Sequence, residues 1–277
     1  MHTIEVNRMF FISNLAAGLT QSLDSPPFLL DAVKPFEGKA GIEFFLHYHD
    51  EAYRAKMEKA HEWLGDLPRA VHGPFIRVEA TSEPGSAGER FLFDAYGWAF
   101  GVAEKLGCHE MVFHTHQRLI EADEVEKARD ICMRNLEKLL KMGSDHGVKL
   151  LIENLDIQKK GASLFDEDAF IKLVQAFPQA GCLIDTGHLN VAGWNTARVL
   201  EVLGDRICGY HLHNNDSASD SHRPIDEGTF DYPAFYELYR RFTPSATLTL
   251  EYGDGPEITP DVLAADLKKV IFGVSGK

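Results

Sequence analysis

Short apolar runs alternate with longer amphipathic segments along the whole chain. Eight runs of strand length begin about 34 residues apart on average, which is room for one strand, one helix and two loops. The runs cover residues 9–13, 41–46, 70–73, 111–114, 149–153, 182–185, 207–213 and 247–251. Between them, the segment 123–147 shows the clearest helical period, with apolar residues every three or four positions and charges on the opposite face. The pattern predicts eight successive strand–helix units.

Continuous apolar strands that alternate with helices indicate a parallel sheet covered on its outer face. Eight units in 277 residues favour a closed (β/α)₈ TIM barrel in the α/β class, while an open doubly wound sheet shares the same alternation. The first strand is followed by Ser-Asn-Leu-Ala-Ala-Gly, which lacks the spaced glycines of a dinucleotide-binding turn. No linker or low-complexity segment divides the chain, so we expect one domain over residues 1–277.

Composition and charge narrow the function classes. The net charge is −14, which does not favour a general binder of nucleic acid or anionic membranes. No apolar run has the length of a membrane span, and the uncharged stretch 9–23 is interrupted by polar residues, unlike a clean signal peptide. The cysteines are scattered without a Cys-x-x-Cys pair: Cys108, Cys132, Cys182 and Cys208. They predict reduced thiols in a cytoplasmic protein and no zinc finger or disulfide framework.

Six of the eight predicted strands carry an Asp, Glu or His at the carboxyl end. These residues are His72, His114, Glu153, Asp185, His211 and Glu251. In a TIM barrel all eight carboxyl ends meet at one face, where the active site lies. Since these three residue types make up about a fifth of the chain, their concentration at strand ends indicates a functional site. Any one of them alone is explained as well by a salt bridge or a helix cap.

Several carboxylates at one barrel mouth need a counter-charge, because an unpaired buried carboxylate is costly. The oxygen-rich set with one imidazole consists of Glu153, Asp185, His211 and Glu251. Such a set suits one divalent metal ion such as Mn²⁺, Mg²⁺ or Co²⁺, and also admits Zn²⁺.

Further candidates lie beside the same strand ends. His188 follows Asp185 by three residues, so a tight turn would bring both side chains into one pocket. Asp220 and His222 form an Asp-x-His pair after the seventh strand. These three, with His72 and His114, are candidates for additional metal or substrate contacts. We interpret four other histidines as solvent-facing or supporting side chains: His47, His49, His116 and His213.

Some aromatic and basic residues near the predicted mouth have two interpretations. Four aromatic side chains fit either the wall of a substrate pocket or the ordinary core: Phe75, Trp194, Phe230 and Tyr252. Arg118 and Arg223 fit either a substrate phosphate or carboxylate, or a solvated surface.

Five segments together resemble the xylose-isomerase-like TIM-barrel superfamily. They are Leu-Ile-Glu-Asn-Leu (151–155), Cys-Leu-Ile-Asp-Thr-Gly-His (182–188), Tyr-His-Leu-His-Asn-Asn-Asp (210–216), Asp-Ser-His-Arg-Pro-Ile-Asp-Glu-Gly-Thr-Phe (220–230) and Leu-Glu-Tyr (250–252). The resemblance spans nearly the whole chain, with the motifs in the family's order. The superfamily contains sugar isomerases and 3-epimerases, dehydratases of inositol-type ketones, and apurinic endonucleases of the endonuclease IV type.

Resemblance to the sugar 3-epimerase branch implies one divalent metal held by Glu153, Asp185, His211 and Glu251. It further implies that Glu153 and Glu251 move a proton from opposite faces of the sugar, and that His188 binds a substrate oxygen. Two features depart from the characterised ketose epimerases. Lys159 stands where they carry a further glutamate, and their arginine after the seventh strand has no evident match.

Resemblance to the endonuclease branch implies a site of three zinc ions. All nine of its ligands have counterparts: His72, His114, Glu153, Asp185, His188, His211, Asp220, His222 and Glu251. Against this alternative, the interval from His211 to Asp220 is short, as in the sugar isomerases. Thr-His-Gln-Arg (115–118) and Leu-Asp-Ile-Gln-Lys (155–159) replace the nucleases' small, glycine-containing turns. The net charge of −14 also leaves little surplus for a cationic groove that follows a nucleic-acid backbone.

The sequence therefore predicts a divalent-metal-dependent isomerase or epimerase of a small sugar, sugar phosphate or polyol. The resemblance also implies a homo-oligomer, and we expect neither a membrane nor a nucleic acid as partner. The alternatives are an apurinic endonuclease, a dehydratase, and a binding protein without activity. An inactive relative would lose metal ligands first, and all four are present.

Overall fold

The computed structural model describes residues 8–24, 26–36, 38–155 and 163–276. Eight parallel strands form a closed barrel in which each strand pairs with its neighbours in sequence and β1 pairs with β8. The strands are β1 (Phe10–Ser13), β2 (Ala40–Phe45), β3 (Arg69–His72), β4 (Glu110–Phe113), β5 (Lys149–Glu153), β6 (Gly181–Asp185), β7 (Ile207–Leu212) and β8 (Thr247–Leu250). Every predicted strand boundary lies within one residue of the observed one. The closure confirms the (β/α)₈ barrel and excludes the open doubly wound sheet.

Helices follow the strands and cover the outside of the barrel. They are α1 (Leu19–Asp24), α2 (Pro27–Val33), α3 (Glu51–Met57), α4 (His61–Leu64), α5 (Ala87–Leu106), α6 (Val125–Asp145), α7 (Glu167–Ala176), α8 (Thr186–Ala192), α9 (Thr196–Leu203), α10 (Tyr232–Phe242) and α11 (Pro260–Ser275), with 3₁₀ turns at Asn14–Ala17, Lys34–Phe36 and Gly204–Arg206. Helix α6 confirms the amphipathic segment predicted at 123–147. Within the described ranges, no helix has both the length and the apolar character needed to cross a membrane.

The alternation of side chains along each strand decides what faces the barrel axis. Val112, Leu151 and Leu183 form a separate buried cluster inside the barrel, while the main core lies between the strands and the helices. Glu153 is two residues beyond Leu151 and therefore shares its inward direction. The last inward position of β5 thus lies above an apolar layer, at the carboxyl-terminal mouth.

Candidate active site

The carboxyl-terminal mouth of the barrel gathers the nine predicted Asp, Glu and His side chains. Six lie within one residue of the carboxyl ends of β3 to β8: His72, His114, Glu153, Asp185, His211 and Glu251. The other three come from α8 and from the loop between β7 and α10: His188, Asp220 and His222. A continuous network of contacts below 4 Å connects them.

Glu153 lies at the centre of this network and is 1% exposed. Its Oε2 atom is 2.8 Å from Nε2 of His114 and 3.3 Å from Nε2 of His72. Its Oε1 atom is 3.3 Å from Nδ1 of His211. The carboxylate of Glu153 therefore faces imidazoles on both of its oxygens.

The four residues of the predicted metal site come together around Nδ1 of His211. This nitrogen is 3.2 Å from Oε2 of Glu251 and 3.9 Å from Oδ2 of Asp185. One potential ligand atom from each of Glu153, Asp185, His211 and Glu251 lies within 4.8 Å of the others. All four side chains are buried. Such spacing is compatible with ligands that surround a single ion.

Asp185 has a second function in the fold, as the N-cap of α8. Its Oδ1 atom accepts a hydrogen bond of 2.7 Å from the backbone N–H of His188. The expected tight turn between these residues is therefore wrong: they lie at the beginning of a helix. The helix still directs His188 to the site, because its side chain reaches Asp220 with Nε2 at 3.3 Å from Oδ2.

A further group of potential ligands lies beside the first one. Oδ2 of Asp220 is 3.0 Å from Nε2 of His222 and 3.3 Å from Nε2 of His188. His213 completes this group, but its Nε2 atom is 3.0 Å from Oδ2 of Asp185. His72, Glu153 and His211 form another group of compatible spacing. Glu153 and His211 thus belong to two of the three groups.

The histidine rings are anchored so that one nitrogen faces the carboxylates. Nδ1 of His72 lies 2.7 Å from the carbonyl oxygen of Gly73, that of His188 lies 2.7 Å from the carbonyl of Asn154, and that of His222 lies 2.9 Å from the carbonyl of Glu251. We assign Nδ1–H as the donor, because a carbonyl oxygen only accepts. In the neutral ring Nε2 then carries the lone pair that a metal needs.

Buried charges of opposite sign shift the pKa values at the site. Burial alone would raise the pKa of Glu153, but the imidazoles of His114 and His211 hold this pKa well below its usual range. Burial would lower the pKa of His222, but its hydrogen bond to Asp220 and the nearby Glu251 raise this pKa to about 9. In the metal-free protein Glu153 is therefore ionised, and a proton on His222 neutralises part of the negative charge of the site.

Several buried oxygens at the mouth form no hydrogen bond of acceptable geometry. They are Oε2 of Glu153, Oε2 of Glu251 and Oδ1 of Asp220. A buried charged oxygen without a partner costs free energy, and cations bound among these groups would provide the partners. The donor set therefore fits a divalent metal ion.

A cavity of about 190 Å³ opens above these groups. Glu153, Glu251 and several histidine side chains form its polar side. Its apolar side is formed by Leu15, Phe45, Phe75 and Leu155. No Lys or Arg side chain from the described part of the chain lines it. The cavity combines a charged floor with apolar walls, which is the general character of a small-molecule site.

The other residues considered from sequence divide between the cavity and the core. Phe75 lines the cavity, whereas Trp194, Phe230 and Tyr252 contact α7, α10 and α11 respectively. Arg118 bonds Thr81 and Glu124, and Arg223 forms a backbone bridge with Asn214. His47 is half-buried and His49 is exposed, whereas His116 is buried and lines the cavity. Lys159 lies outside the described residues.

Two buried residues at the site were not assigned to it from sequence. His213 is fully buried against Asp185, so its solvent-facing interpretation is wrong and its supporting one remains. Glu43 on β2 is 3% exposed and lies 2.8 Å from Nε2 of His211. A carboxylate in the middle of the apolar run Ala-Gly-Ile-Glu-Phe-Phe (40–45) is itself a sequence signal.

The family model described as a xylose isomerase-like TIM barrel matches residues 30–269. The chain belongs to this family. Among curated proteins, this xylose isomerase-like barrel is 25% identical over 194 residues to the uncharacterized protein MJ1311 of Methanocaldococcus jannaschii. That alignment covers 65% of this chain and 63% of the relative. This chain is also 27% identical over 235 residues to a probable endonuclease 4 of Natranaerobius thermophilus. That alignment covers 77% of this chain and 80% of the relative.

Solved structures share the whole architecture of this xylose isomerase-like barrel. A D-tagatose 3-epimerase-like protein superposes with a TM-score of 0.77 at 18% identity, over 97% of this chain and 98% of the other. The IOLI protein, whose crystal structure contains a zinc atom, superposes with a TM-score of 0.76 at 15% identity, over 97% and 98%. At these identities the likeness shows the common fold alone.

Proposed function

We propose that this protein is a divalent-metal-dependent isomerase or epimerase of a small sugar or polyol. The convergence of Glu153, Asp185, His211 and Glu251, each with one potential ligand atom within 4.8 Å of the others, carries the proposal. These four residues would hold the ion. When bound, it would polarise a substrate carbonyl and acidify the adjacent C–H bond.

Two glutamates supply the proton chemistry in this proposal. Glu153 and Glu251 both line the cavity, so each carboxylate is placed to exchange a proton with a bound substrate. One carboxylate removes the proton from carbon and the other returns a proton to the opposite face. Substrate and product then differ only in the position or configuration of that hydrogen. His188 and His222 lie on the same cavity wall, where they would bind substrate oxygens.

The dimensions of the cavity support a small substrate. Its volume is about 190 Å³, which is below the ~300–1,000 Å³ of sites for drug-sized ligands. Its apolar wall, formed by Leu15, Phe45 and Phe75, suits the C–H face of a sugar ring. The same wall would help to exclude water from the carbon acid.

The test is hydrogen exchange in D₂O. Metal-loaded protein is incubated with a panel of ketoses, polyol-derived ketones and their phosphates, and deuterium at the carbon next to the carbonyl is followed by NMR. Glu251→Gln is expected to slow the exchange by about 10²–10⁴-fold. Glu110→Gln, at the other end of the barrel beside Lys149, is the matched control and should leave the rate unchanged. Absence of exchange with every compound would contradict the proposal, and loss of water from a ketone would instead identify a dehydratase.

A second candidate function is endonuclease activity at abasic sites. It is favoured by the position of His72 and His114 on Oε2 of Glu153 and by the separate group around Asp220. A single-metal epimerase does not need these additional groups, whereas hydrolysis of a phosphodiester with several metals uses them. The test is incubation of zinc-loaded protein with a duplex that contains one abasic site. Cleavage there, together with two or three bound zinc ions, would replace the first proposal.

A further inference from the structure

Glu43 lies in the interior of the barrel, at the fourth position of β2. It is 3% exposed, although the neighbouring residues of its strand are apolar. Its side chain reaches across the barrel to β7 and β8, where it contacts His211 and Thr249. A glutamate in this position requires an explanation, because burial of a charged carboxylate is unfavourable unless it is paired.

Both oxygens of Glu43 have a partner. Oε1 lies 2.8 Å from Nε2 of His211, and Oε2 accepts a hydrogen bond of 2.9 Å from the hydroxyl of Thr249. A carboxylate accepts hydrogen bonds on both of its oxygens, so the proton between the two residues belongs to Nε2 of His211.

This contact decides the direction of the other ring nitrogen. With Nε2 bound to Glu43, Nδ1 of His211 faces Glu153 and Glu251 at 3.3 and 3.2 Å. The ring also stacks on His72, with centroids 5.6 Å apart and an interplanar angle of 18°. His211 is thus held on one face and at one edge, and its Nδ1 atom faces the carboxylates of Glu153 and Glu251.

We propose that Glu43 is a positioning residue that fixes His211 as a metal ligand through Nδ1. The inference rests on the proposed function, because it concerns the same metal site. Glu43 itself does not touch the cavity above the site in the described part of the chain, so it is not a catalytic residue. It acts through His211 by setting the ring orientation, the tautomer and the electron density at Nδ1.

The anchor of His211 differs in chemistry from the anchors of the other histidines. Nδ1 of His72, His188 and His222 each bonds a backbone carbonyl, whereas Nε2 of His211 bonds a charged carboxylate. A charge-assisted hydrogen bond is roughly twice as strong as a neutral one. The carboxylate therefore holds His211 more firmly than a backbone carbonyl holds the other three rings, and it increases the electron density at Nδ1 of His211.

The test measures metal affinity in the folded protein, independently of any enzymatic activity. Co²⁺ and Zn²⁺ dissociation constants are determined for the wild type, Glu43→Ala, Glu43→Gln and Thr249→Val by chelator competition, together with the visible absorption of bound Co²⁺. We expect Glu43→Ala to weaken binding by about 10–100-fold and to change the Co²⁺ spectrum. Glu43→Gln, whose amide oxygen can still accept from Nε2, should restore part of the affinity.

Controls separate positioning from general stability. Glu110→Gln removes a carboxylate near the other end of the barrel and should leave both affinity and spectrum unchanged. Thr249→Val keeps the charge of Glu43 and removes one of its anchors, so a loss of a few-fold is expected even if Glu43→Ala fails to fold. Unchanged affinity and spectrum in all three site variants would overturn the role of Glu43 alone. A wild type that binds neither ion would overturn the proposed metal-dependent function and this inference with it.

Discussion

Nε2 of His114 lies 2.8 Å from Oε2 of Glu153. The two residues lie at the carboxyl ends of neighbouring strands. The other oxygen of Glu153 faces His211. One carboxylate is therefore shared between the pair formed by His72 and His114 and the set formed by Asp185, His211 and Glu251. This shared position makes the number of bound metal ions the most informative property of the protein.

Metal content distinguishes the two candidate functions. Protein purified without added metal or a histidine tag is expected to contain about one exchangeable divalent ion per chain if it is an isomerase or epimerase. Two or three tightly held zinc ions would favour the endonuclease. Elemental analysis before and after dialysis against a chelator gives the count. No metal, and no uptake on reconstitution, would contradict both functions.

Metal removal should also lower the thermal stability. An ion that binds only the folded state at about 100 times its dissociation constant stabilises that state by about 2.7 kcal/mol. We therefore expect the melting temperature to fall by several degrees after chelation and to recover when Mn²⁺, Co²⁺ or Zn²⁺ is restored. Differential scanning calorimetry is the measurement. A melting temperature that does not depend on metal would indicate that the groups at the mouth do not bind it.

Substitutions on the two sides of Glu153 should have different effects. For a single-metal enzyme, His114→Gln leaves the metal content at one ion per chain, whereas Glu153→Gln removes it. For a multi-metal enzyme, His114→Gln loses one ion and Glu153→Gln affects at least two. Metal content and melting temperature are measured for both variants. Loss of all metal in His114→Gln would contradict the separation of these groups.

For a multi-metal enzyme, in which His222 is a ligand, metal affinity should increase with pH. In the metal-free protein Asp220 and Glu251 raise the pKa of His222 to about 9, so this ring keeps its proton below pH 9. A metal that binds Nε2 has to displace the proton, and affinity then rises by up to about tenfold per pH unit for each proton displaced. Chelator competition between pH 6 and 9 measures the slope, which His222→Gln should reduce. A slope that His222→Gln leaves unchanged would assign the displaced protons to other groups.

Asp185 combines a helix cap with a charge at the site, and two substitutions separate these roles. Asp185→Asn keeps a side-chain oxygen for the N–H of His188, whereas Asp185→Ala loses it. The alanine variant should be about 1 kcal/mol less stable than the asparagine variant, while both bind metal weakly. Asp166, which caps α7 through the N–H of Ala169, is the matched control. Asp166→Ala should lose about 1 kcal/mol of stability and no metal affinity, as measured by urea unfolding and chelator competition.

Gly187 provides a test of how tightly the site is packed. A Cβ atom at this position would lie 1.9 Å from Cε1 of His213, so Gly187→Ala must displace the ring that bonds Asp185. We expect a loss of about 1–3 kcal/mol of stability and weaker metal binding. Gly101→Ala is the control, because nothing lies within 4 Å of its Cβ position in α5, and alanine there should stabilise the helix by up to about 1 kcal/mol. A Gly187→Ala protein as stable as the wild type would show that His213 moves freely.

The strand boundaries could be predicted to within one residue because the strands are short apolar runs, most of which end at or next to a polar residue. The ends of six runs also carry residues that converge at the barrel mouth, since parallel strands in a barrel deliver their carboxyl ends to one face. The local conformation of the segments that follow the strands could not be predicted as well from the sequence. The segment from Asp185 to His188 is compatible with a turn or a helix start, and only the hydrogen bond from the N–H of His188 distinguishes them.

The amino-acid sequence by itself determined the order of the eight strand–helix units and the residues at the strand ends. Hydrophobic periodicity and the polar residues that interrupt it are local properties of the chain. The tertiary structure alone decided which side chains meet. Glu43 and His211 are 168 positions apart, and their contact exists because closure of β1 on β8 directs the inward side chains of β2 and β7 to one axis. The burial of His213 likewise depends on the close approach of Gly187. Such contacts depend on the closure of the barrel, which cannot be deduced from a local sequence pattern.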